Sequence, residues 1–370
     1  VGEENGSSTQ SVTRAEGSPA DDEFEFTVFG PGYGESLVLH IGNGSWVVID
    51  SCVDADGCPQ ALRYLESIGV DPAATVRLIV ATHWHDDHIR GLAQMVETCP
   101  EAAFCCAAAL CREEFLALVQ AIQGRHLSSI GSGLREIHSV FSHLDSTGKK
   151  ATHAIANRVV FQRETCRIWS LSPGDDVFQR FLGAVEETIP SRGNNKSRIR
   201  SLSPNEAAVA LWVDAKDFAL LLGADLNRSG WATMVCDSER PVGRAAAYKV
   251  PHHGSENADE PRVWEQMLDS HPLAVLTPWS RGGRSLPKSS DVRRILSHTE
   301  NAYATAKPDS SGPNRRSWDR VVERIIRESG AAIRRRSAGP GMIRLRRRIG
   351  DEAPWQVEKF GTACHLRDLV

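Results

Sequence analysis

Short apolar runs separated by glycine-rich turns mark the beginning of the patterned part of this chain. Residues 24–29, 36–41 and 46–49 alternate or run apolar as strands do, and Gly30, Gly32, Gly34, Gly42 and Gly44 separate them. That spacing predicts a meander. Residues 59–68 have helical periodicity, 76–81 form a run apolar but for Arg77 and suited to a buried strand, and 89–97 read as a second helix. A helical pattern covers 112–124. The Ser-, Gly- and His-rich stretch 125–152 is poorly periodic and predicts an irregular insertion. Strand patterns return at 158–162 and 167–171, a helix at 175–188, and a basic loop at 191–203. The second half echoes the first, with strands at 207–213, 218–222, 245–250 and 273–277 and helices at 228–236, 261–268, 290–298 and 318–329. Two similar halves of strands and helices predict an α/β fold, a four-layer α/β/β/α sandwich.

Composition narrows the class. The chain has 370 residues, 41% hydrophobic and 24% charged, which excludes a wholly disordered, collagen-like or coiled-coil protein. Residues 1–22 are polar and lack large apolar side chains, so they predict a disordered tail. A catalytic domain is expected over 23–310 and a basic helix-and-strand extension over 311–370. No stretch has the apolar length of a membrane helix and the first residues are acidic and polar, so a cytoplasmic protein without membrane attachment is expected. Nine cysteines without a C-x-x-C pair predict reduced thiols rather than a disulfide scaffold or zinc ribbon. Charge is unevenly distributed: residues 1–100 hold 4 Arg and no Lys against 16 Asp and Glu, whereas 281–350 are strongly basic.

The chemistry concentrates where apolar strands end. Thr82-His83-Trp84-His85-Asp86-Asp87-His88 follows the 76–81 strand and precedes a helix. In extended backbone, positions two apart share a face, so His83 and His85 converge on one metal position while Trp84 points away. Asp87 and His88, after the turn into the helix, address a neighbouring one. Imidazole with carboxylate suits Zn2+, with Fe or Mn as alternatives. Two further clusters sit at strand ends: Leu221-Leu222-Gly223-Ala224-Asp225 and Val250-Pro251-His252-His253-Gly254-Ser255. Two adjacent metals need a shared carboxylate, which Asp225 can supply, while one His of the 252–253 pair completes the second position.

These elements together resemble the metallo-β-lactamase fold superfamily. The H-x-H-x-D-H element corresponds to His83, His85, Asp87 and His88, the Asp after an early strand to Asp50, and the bridging Asp to Asp225. Pro251-His252-His253-Gly254-Ser255 resembles the branch containing the metallo-β-lactamase domain of the bacterial DNA-uptake (competence) channel. The resemblance implies that Asp50 supports the site by hydrogen bonding. It implies His253 as a ligand, and His252 as a neighbour that orients substrate or protonates the leaving group. It also implies that the Gly30–Gly34 loop overhangs the metals, so that Tyr33 touches substrate; the loop joins two strands and does not open a helix, so it is no dinucleotide fingerprint. One departure stands out. Where most superfamily members have a further His before the bridging Asp, this chain reads Ser203-Pro204-Asn205-Glu206. Asn205 matches the DNA-uptake branch, and the first metal is then less fully held unless His126, His138, His143 or His153 substitutes.

The expected activity is hydrolysis by a di-zinc site, with two Zn2+ per chain lowering the pKa of a bound water, Asp87 and His252 assisting catalysis, and no Ser or Cys nucleophile. Arg-rich segments at 192–200 (with Arg198 and Arg200), 315–316, 334–336 and 344–348 favour a phosphodiester, as a phosphodiesterase or nuclease acting on nucleic acid or nucleotide. Against this, 344–346 alternates as a charged, exposed edge strand does. An amide, ester or lactone substrate, including a peptidase role, is the alternative for the same site. A metal-stabilised, non-enzymatic component of a bacterial conflict system is a third.

Overall fold

The computed structural model describes residues 17–30, 34–111, 132–188, 204–281, 283–307 and 341–370. The expected helices at 112–124 and 318–329, the loop with Arg198 and Arg200, Tyr33, His126, and the basic runs at 315–316 and 334–336 lie outside them.

The chain folds into two eight-stranded sheets. The first contains β1 (Glu23–Phe29), β2 (Ser36–Ile41), β3 (Trp46–Ile49), β4 (Val76–Ala81), β5 (Ala103–Ala107) and β6 (Thr152–Ala154). The second contains β7 (Arg158–Gln162), β8 (Arg167–Ser170), β9 (Leu211–Ala215), β10 (Phe218–Leu222), β11 (Ala245–Lys249) and β12 (Leu268–Leu276). A separate hairpin, β13 (Trp279–Arg281) and β14 (Arg284–Leu286), precedes β15 (Ala302–Ala304), β16 (Met342–Arg348), β17 (Gln356–Phe360) and β18 (Cys364–His365). The orders are β17-β16-β1-β2-β3-β4-β5-β6 and β18-β15-β12-β11-β10-β9-β8-β7. In each sheet one half is antiparallel and the other parallel: β3 through β6 in the first, β10, β11, β12 and β15 in the second.

Side-chain alternation shows how the layers stack. Phe24 of β1 meets Phe218 of the second sheet edge-on at 5.2 Å, so one face of β1 points between the sheets. Its neighbour Glu25 and Phe29 point the other way, against Tyr64 of α1 (Gln60–Ser67). In the second sheet Leu211, Val213, Leu220, Leu222 and Val275 join the core between the sheets. Trp212, Leu221, Tyr248, Ala274 and Leu276 form a second core, whose other components include Trp231, Val263, Trp264, Val292 and Ile295 from the helices. A period of two thus divides each strand between an inter-sheet core and a helix-facing core. The result is the four-layer sandwich anticipated from the sequence, a mixed α/β fold of the metallo-β-lactamase type.

The helices are α1, α2 (Pro72–Thr75), α3 (Asp86–Ile89), α4 (Leu92–Thr98), α5 (Ser132–Ser146), α6 (Asp175–Thr188), α7 (Arg228–Val235), α8 (Pro261–Gln266) and α9 (Ser289–His298). Several depart from the sequence expectation. The stretch 89–97 is not one helix: α3 stops at Ile89 and α4 starts after Gly91, whose φ of +79° and close approach to Val53 and Pro59 suit glycine. Most of the expected irregular insertion is α5. Its Ile137, Val140 and Leu144 recur at spacings of three and four and are buried, a helical stripe thinly spread among serine, histidine and arginine. The strand expected from residue 207 starts at Leu211 because Pro204–Ala207 form a short 3-10 turn. Among the described residues, no helix is long and apolar enough to cross a membrane.

The largest correction concerns the arginines at 344–348. The strand they form is not an edge: β16 lies between β1 and β17, and Arg344 is buried. Arg344 donates to Glu358 at 2.7 and 3.0 Å, and Arg346 donates to the fully buried Glu25 at 2.8 Å. Glu25 also accepts from Tyr64 Oη and from Thr27 Oγ1, the latter at 2.7 Å. These cations are used inside the fold. Removing one partner of such a cluster leaves buried charge uncompensated, so Glu25→Ala is expected to destabilise the protein by about 3–5 kcal/mol. Urea unfolding monitored by tryptophan fluorescence measures this; a midpoint within error of wild type contradicts the cluster's role.

Candidate metal centre

Four strand ends and the short helix after β4 deliver the candidate residues to one place. Asp50 follows β3, Thr82 and His83 follow β4, Asp225 follows β10, and His252 and His253 follow β11. All these strands lie in the parallel halves of their sheets and point their carboxyl ends toward the same edge, where α/β architectures place ligands. The local backbone is unusual there. Of the non-glycine residues with left-handed φ, Asp50 (58°), Ala224 (44°), His252 (46°) and His253 (54°) are all at the site. Such conformations cost about 1–3 kcal/mol each and persist where the surroundings enforce them.

Three groups of donors result, one of which, Asp50 with His83 and His88, is a hydrogen-bonded support that leaves two candidate metal positions. His83, His85 and Asp225 converge in one; Asp87, His88 and His253 converge in the other. His83 Nε2 lies 3.1 Å from His85 Nδ1, and His253 Nε2 lies 3.4 Å from Asp87 Oδ2. Asp225 spans the groups: Oδ1 is 3.4 Å from His88 Nε2, and Oδ2 is 3.8 Å from His83 Nε2 and 3.9 Å from His253 Nε2.

Hydrogen bonds fix which nitrogen of each ring faces inward. Asp50 accepts from the Thr82 amide and hydroxyl and from His88 Nδ1, each at 2.7 Å. With the Thr82 hydroxyl proton committed to Asp50, its oxygen accepts from His83 Nδ1 at 3.0 Å. His253 Nδ1 donates to the Thr277 carbonyl at 3.0 Å. In the neutral rings, Nε2 of His83, His88 and His253 therefore carries the lone pair.

The donor set fits metal ions. His88 Nε2, His253 Nε2 and Asp225 Oδ1 are buried without a hydrogen-bond partner, which is costly unless something else satisfies them. Tetrahedral ligands with bonds of about 2.0–2.2 Å lie about 3.3–3.6 Å apart, close to the separations here. Charge points the same way. Burial opposes ionisation of Asp225 and Asp87. Even so, His88 and His253 hold the Asp225 carboxyl well below the usual range, and contact with His253 together with the His88 charge lowers that of Asp87. Burial likewise opposes charging of His88, but Asp225 and Asp50 outweigh it and hold the imidazole well above its ordinary value. Burial, aided by His88, keeps His83 well below it. The carboxylates thus demand positive charge that metal cations supply in exchange for protons.

Other expected residues are placed differently. Asn205 does not reach either donor group; its Nδ2 is 3.5 Å from His252 Nε2. His252 belongs to neither group but lines the open pocket with Trp84, His85, Asp87, Pro204, Trp279, Arg281 and Leu286. Among the described residues, His138, His143 and His153 join no donor group. The hairpin residues Trp279 and Arg281 were not anticipated, although a tryptophan and an arginine just after an apolar strand at 273–277 offered a signal.

Residues 29–132 match the family model described as the metallo-beta-lactamase superfamily. No curated protein matches the chain. Among solved structures, the chain is similar to the metallo-beta-lactamase fold protein YhfI from Bacillus subtilis, with 11% identity, a TM-score of 0.33, and coverage of 61% of this chain and 70% of that one. It is also similar to a HARLDQ-motif mutant metallo-beta-lactamase from Cronobacter sakazakii, with 15% identity, a TM-score of 0.35, and coverage of 60% and 75%.

The unequal donor groups predict unequal metal retention. Asp225 together with Asp87, His88 and His253 offers four ligating residues, whereas His83 and His85 share Asp225 alone. Titration with a chelator, followed by plasma mass spectrometry, is expected to remove metal in two steps. His85→Ala should lose only the weaker step, and Asp225→Ala both. A single step retained in Asp225→Ala contradicts the bridging assignment.

Proposed function

We infer, from the match of residues 29–132 to the metallo-beta-lactamase superfamily model together with the His and Asp cluster, that the chain is a metal-dependent hydrolase of that superfamily whose first-choice substrate is a phosphodiester. The observation that carries the hydrolase reading is the pair of donor groups joined through Asp225 at the floor of an open pocket. Zn2+ is the preferred metal, two per chain, with Fe or Mn compatible with the same donors. Divalent ions held there supply Lewis-acid polarisation of the scissile group and activation of water.

The chain's own residues do the rest. Asp50 and Thr82 keep His83 and His88 facing inward, and Asp225 keeps the two donor groups in register. His252 is the residue able to act on substrate: Nε2 stands at the pocket, 4.0 Å from Asp225 Oδ2, where it can receive a proton or return one to a leaving group. Burial lowers its pKa, which favours the neutral ring that accepts first.

Arg281, Trp84 and Trp279 on the pocket wall support a phosphodiester, since guanidinium suits phosphate and indole suits a base. The Arg198 and Arg200 segment and the likeness of 251–255 to the DNA-uptake branch support nucleic acid or nucleotide in particular. Arg344 and Arg346, spent on Glu358 and Glu25, do not. A cytoplasmic location belongs to the same proposal.

Hydrolysis of a chromogenic phosphodiester and of single-stranded DNA tests the reading. Asp87→Ala/His88→Ala is expected to lose more activity than the about 10–100-fold typical of removing an outer partner of a ligand. For DNA, kcat/KM should fall about tenfold between about 50 and 200 mM salt if two phosphates are contacted. Salt-independent turnover of an ester or amide instead, with the variant inactive, moves the substrate assignment and leaves the hydrolase. Full activity in the variant overturns both.

A further inference from the structure

A buried ion pair lies beneath the metal centre. Glu35, just before β2, and Lys249, the last residue of β11, are both fully buried, and Glu35 Oε1 is 2.7 Å from Lys249 Nζ. Lys249 Nζ also donates to the Val250 carbonyl at 3.0 Å. Buried charge of this kind is expensive, and hydrophobic residues of similar volume are often as stable, so a purely packing role explains it poorly. What distinguishes Glu35 is what else it holds. Its second oxygen, Oε2, accepts from the Thr277 hydroxyl, and its backbone amide donates to the Asp87 carbonyl at 2.7 Å. The same Thr277 hydroxyl oxygen lies 3.0 Å from His253 Nδ1. Glu35 thus reaches one donor residue from each side of the second group: Asp87 through the backbone and His253 through Thr277.

The arrangement repeats the one around Asp50. There a buried carboxylate fixes a threonine at the end of a parallel strand, and the threonine and carboxylate fix His83 and His88. Here Glu35 fixes Thr277, the residue after β12, and Thr277 fixes His253. With its proton committed to Glu35, the Thr277 hydroxyl presents only lone pairs to the ring and so joins the Thr277 carbonyl in holding the His253 N–H at Nδ1, which leaves Nε2 for the metal. The loop glycine before Glu35 tightens the connection. Gly34 has φ of +126°, and a Cβ there would lie 2.6 Å from Cys52 Cβ, so the chain enters Glu35 along one narrow route.

We propose that Glu35 is a positioning residue for the second metal position, acting through Thr277 on His253 and through its amide on Asp87, with Lys249 as its fixed counter-ion. The proposal rests on reading the His and Asp cluster as a metal centre. It gives Lys249, a lysine in an otherwise apolar strand, a task in the site that its neighbours His252 and His253 belong to.

Thr277→Val removes the hydroxyl while keeping its shape, and Thr277→Ser restores the hydroxyl. Each is loaded with Co2+, and the visible absorption spectrum and the competition with a chelator are read alongside urea unfolding of the metal-free protein. Thr277→Val is expected to unfold like wild type, to hold its tighter metal about 10–100-fold more weakly, and to show an altered Co2+ spectrum, with Thr277→Ser returning both toward wild type. The Glu35→Gln/Lys249→Met double variant, which removes both charges together, should give the same metal phenotype. It serves as the test if Thr277→Val does not fold. Wild-type Co2+ affinity and spectrum in Thr277→Val or in the double variant overturn the proposal, as does a Thr277→Ser variant no better than Thr277→Val. A wild-type protein that binds no Co2+ at all rejects the metal centre itself, a distinguishable failure.

Discussion

The carboxylate of Asp225 is the constraint on which the rest of the site depends. It is almost fully buried, and it stands among five imidazoles, with one oxygen toward His88, the other toward His83, His252 and His253, and His85 converging with it and His83. A buried anion cannot stay uncompensated. In the metal-free chain that demand makes His88 and His253 bind protons more readily; metal cations meet it by displacing those protons, which leaves the inward nitrogens' lone pairs aimed at the ion. Everything that surrounds Asp225 serves to keep those nitrogens aimed at it.

The fold makes this aim possible through the mirrored construction of its two sheets. Each has a parallel half whose strands end at the common edge, so β3 and β4 of one sheet face β10, β11 and β12 of the other across the site. Parallel strands are buried on both faces, which is why residues 78–81 and Phe218–Leu222 read as unbroken apolar runs. Polar residues can then appear only where those strands stop. The abrupt change from apolar to ligating residues at Ala81–Thr82 and at Leu222–Asp225 is therefore a physical signature of a site at a strand end. The left-handed residues Asp50, Ala224, His252 and His253 belong to the same economy, since a chain that has just left a strand must turn sharply to present a side chain back over the strand's own end.

This is also why the candidate ligands, and Asp50 through the resemblance, were legible in the sequence while the other supports were not. His83, His85, Asp87, His88, Asp225 and the 252–253 pair carry their message in local spacing. Glu35 and Lys249 do not, because each means little until the other is placed beside it, and they come from different sheets. Arg344 and Arg346 show the converse. Their alternation was correctly a strand signal, but whether a strand is an edge depends on what pairs beyond it, here β17, and no local pattern says so. Helix α5 was hidden for a third reason: three buried residues suffice to dock it against α4, and the remainder of its sequence is free to look like a loop. Gly91, by contrast, was visible in the sequence and misread, since a glycine inside an apparent helix is tolerated as often as it ends one.

The pair His252 and His253 shows how the site separates holding from acting. Adjacent residues in ordinary strand or helix would send their side chains along fixed diverging directions set by the element. Two successive left-handed residues instead bring both rings to within about 4 Å of the same Asp225 oxygen, one 2% and the other 21% exposed at the side chain. His253 is locked by Thr277 and faces the buried donor group; His252 faces the pocket, with only a long contact to Asn205. One carboxylate oxygen is thereby shared between a ring that is held and a ring that substrate can reach. At the place where the resemblance implied a further histidine, this chain has Asn205, whose amide lies 3.5 Å from the more exposed of the two rings, so the departure from the pattern sits beside His252 and away from both donor groups.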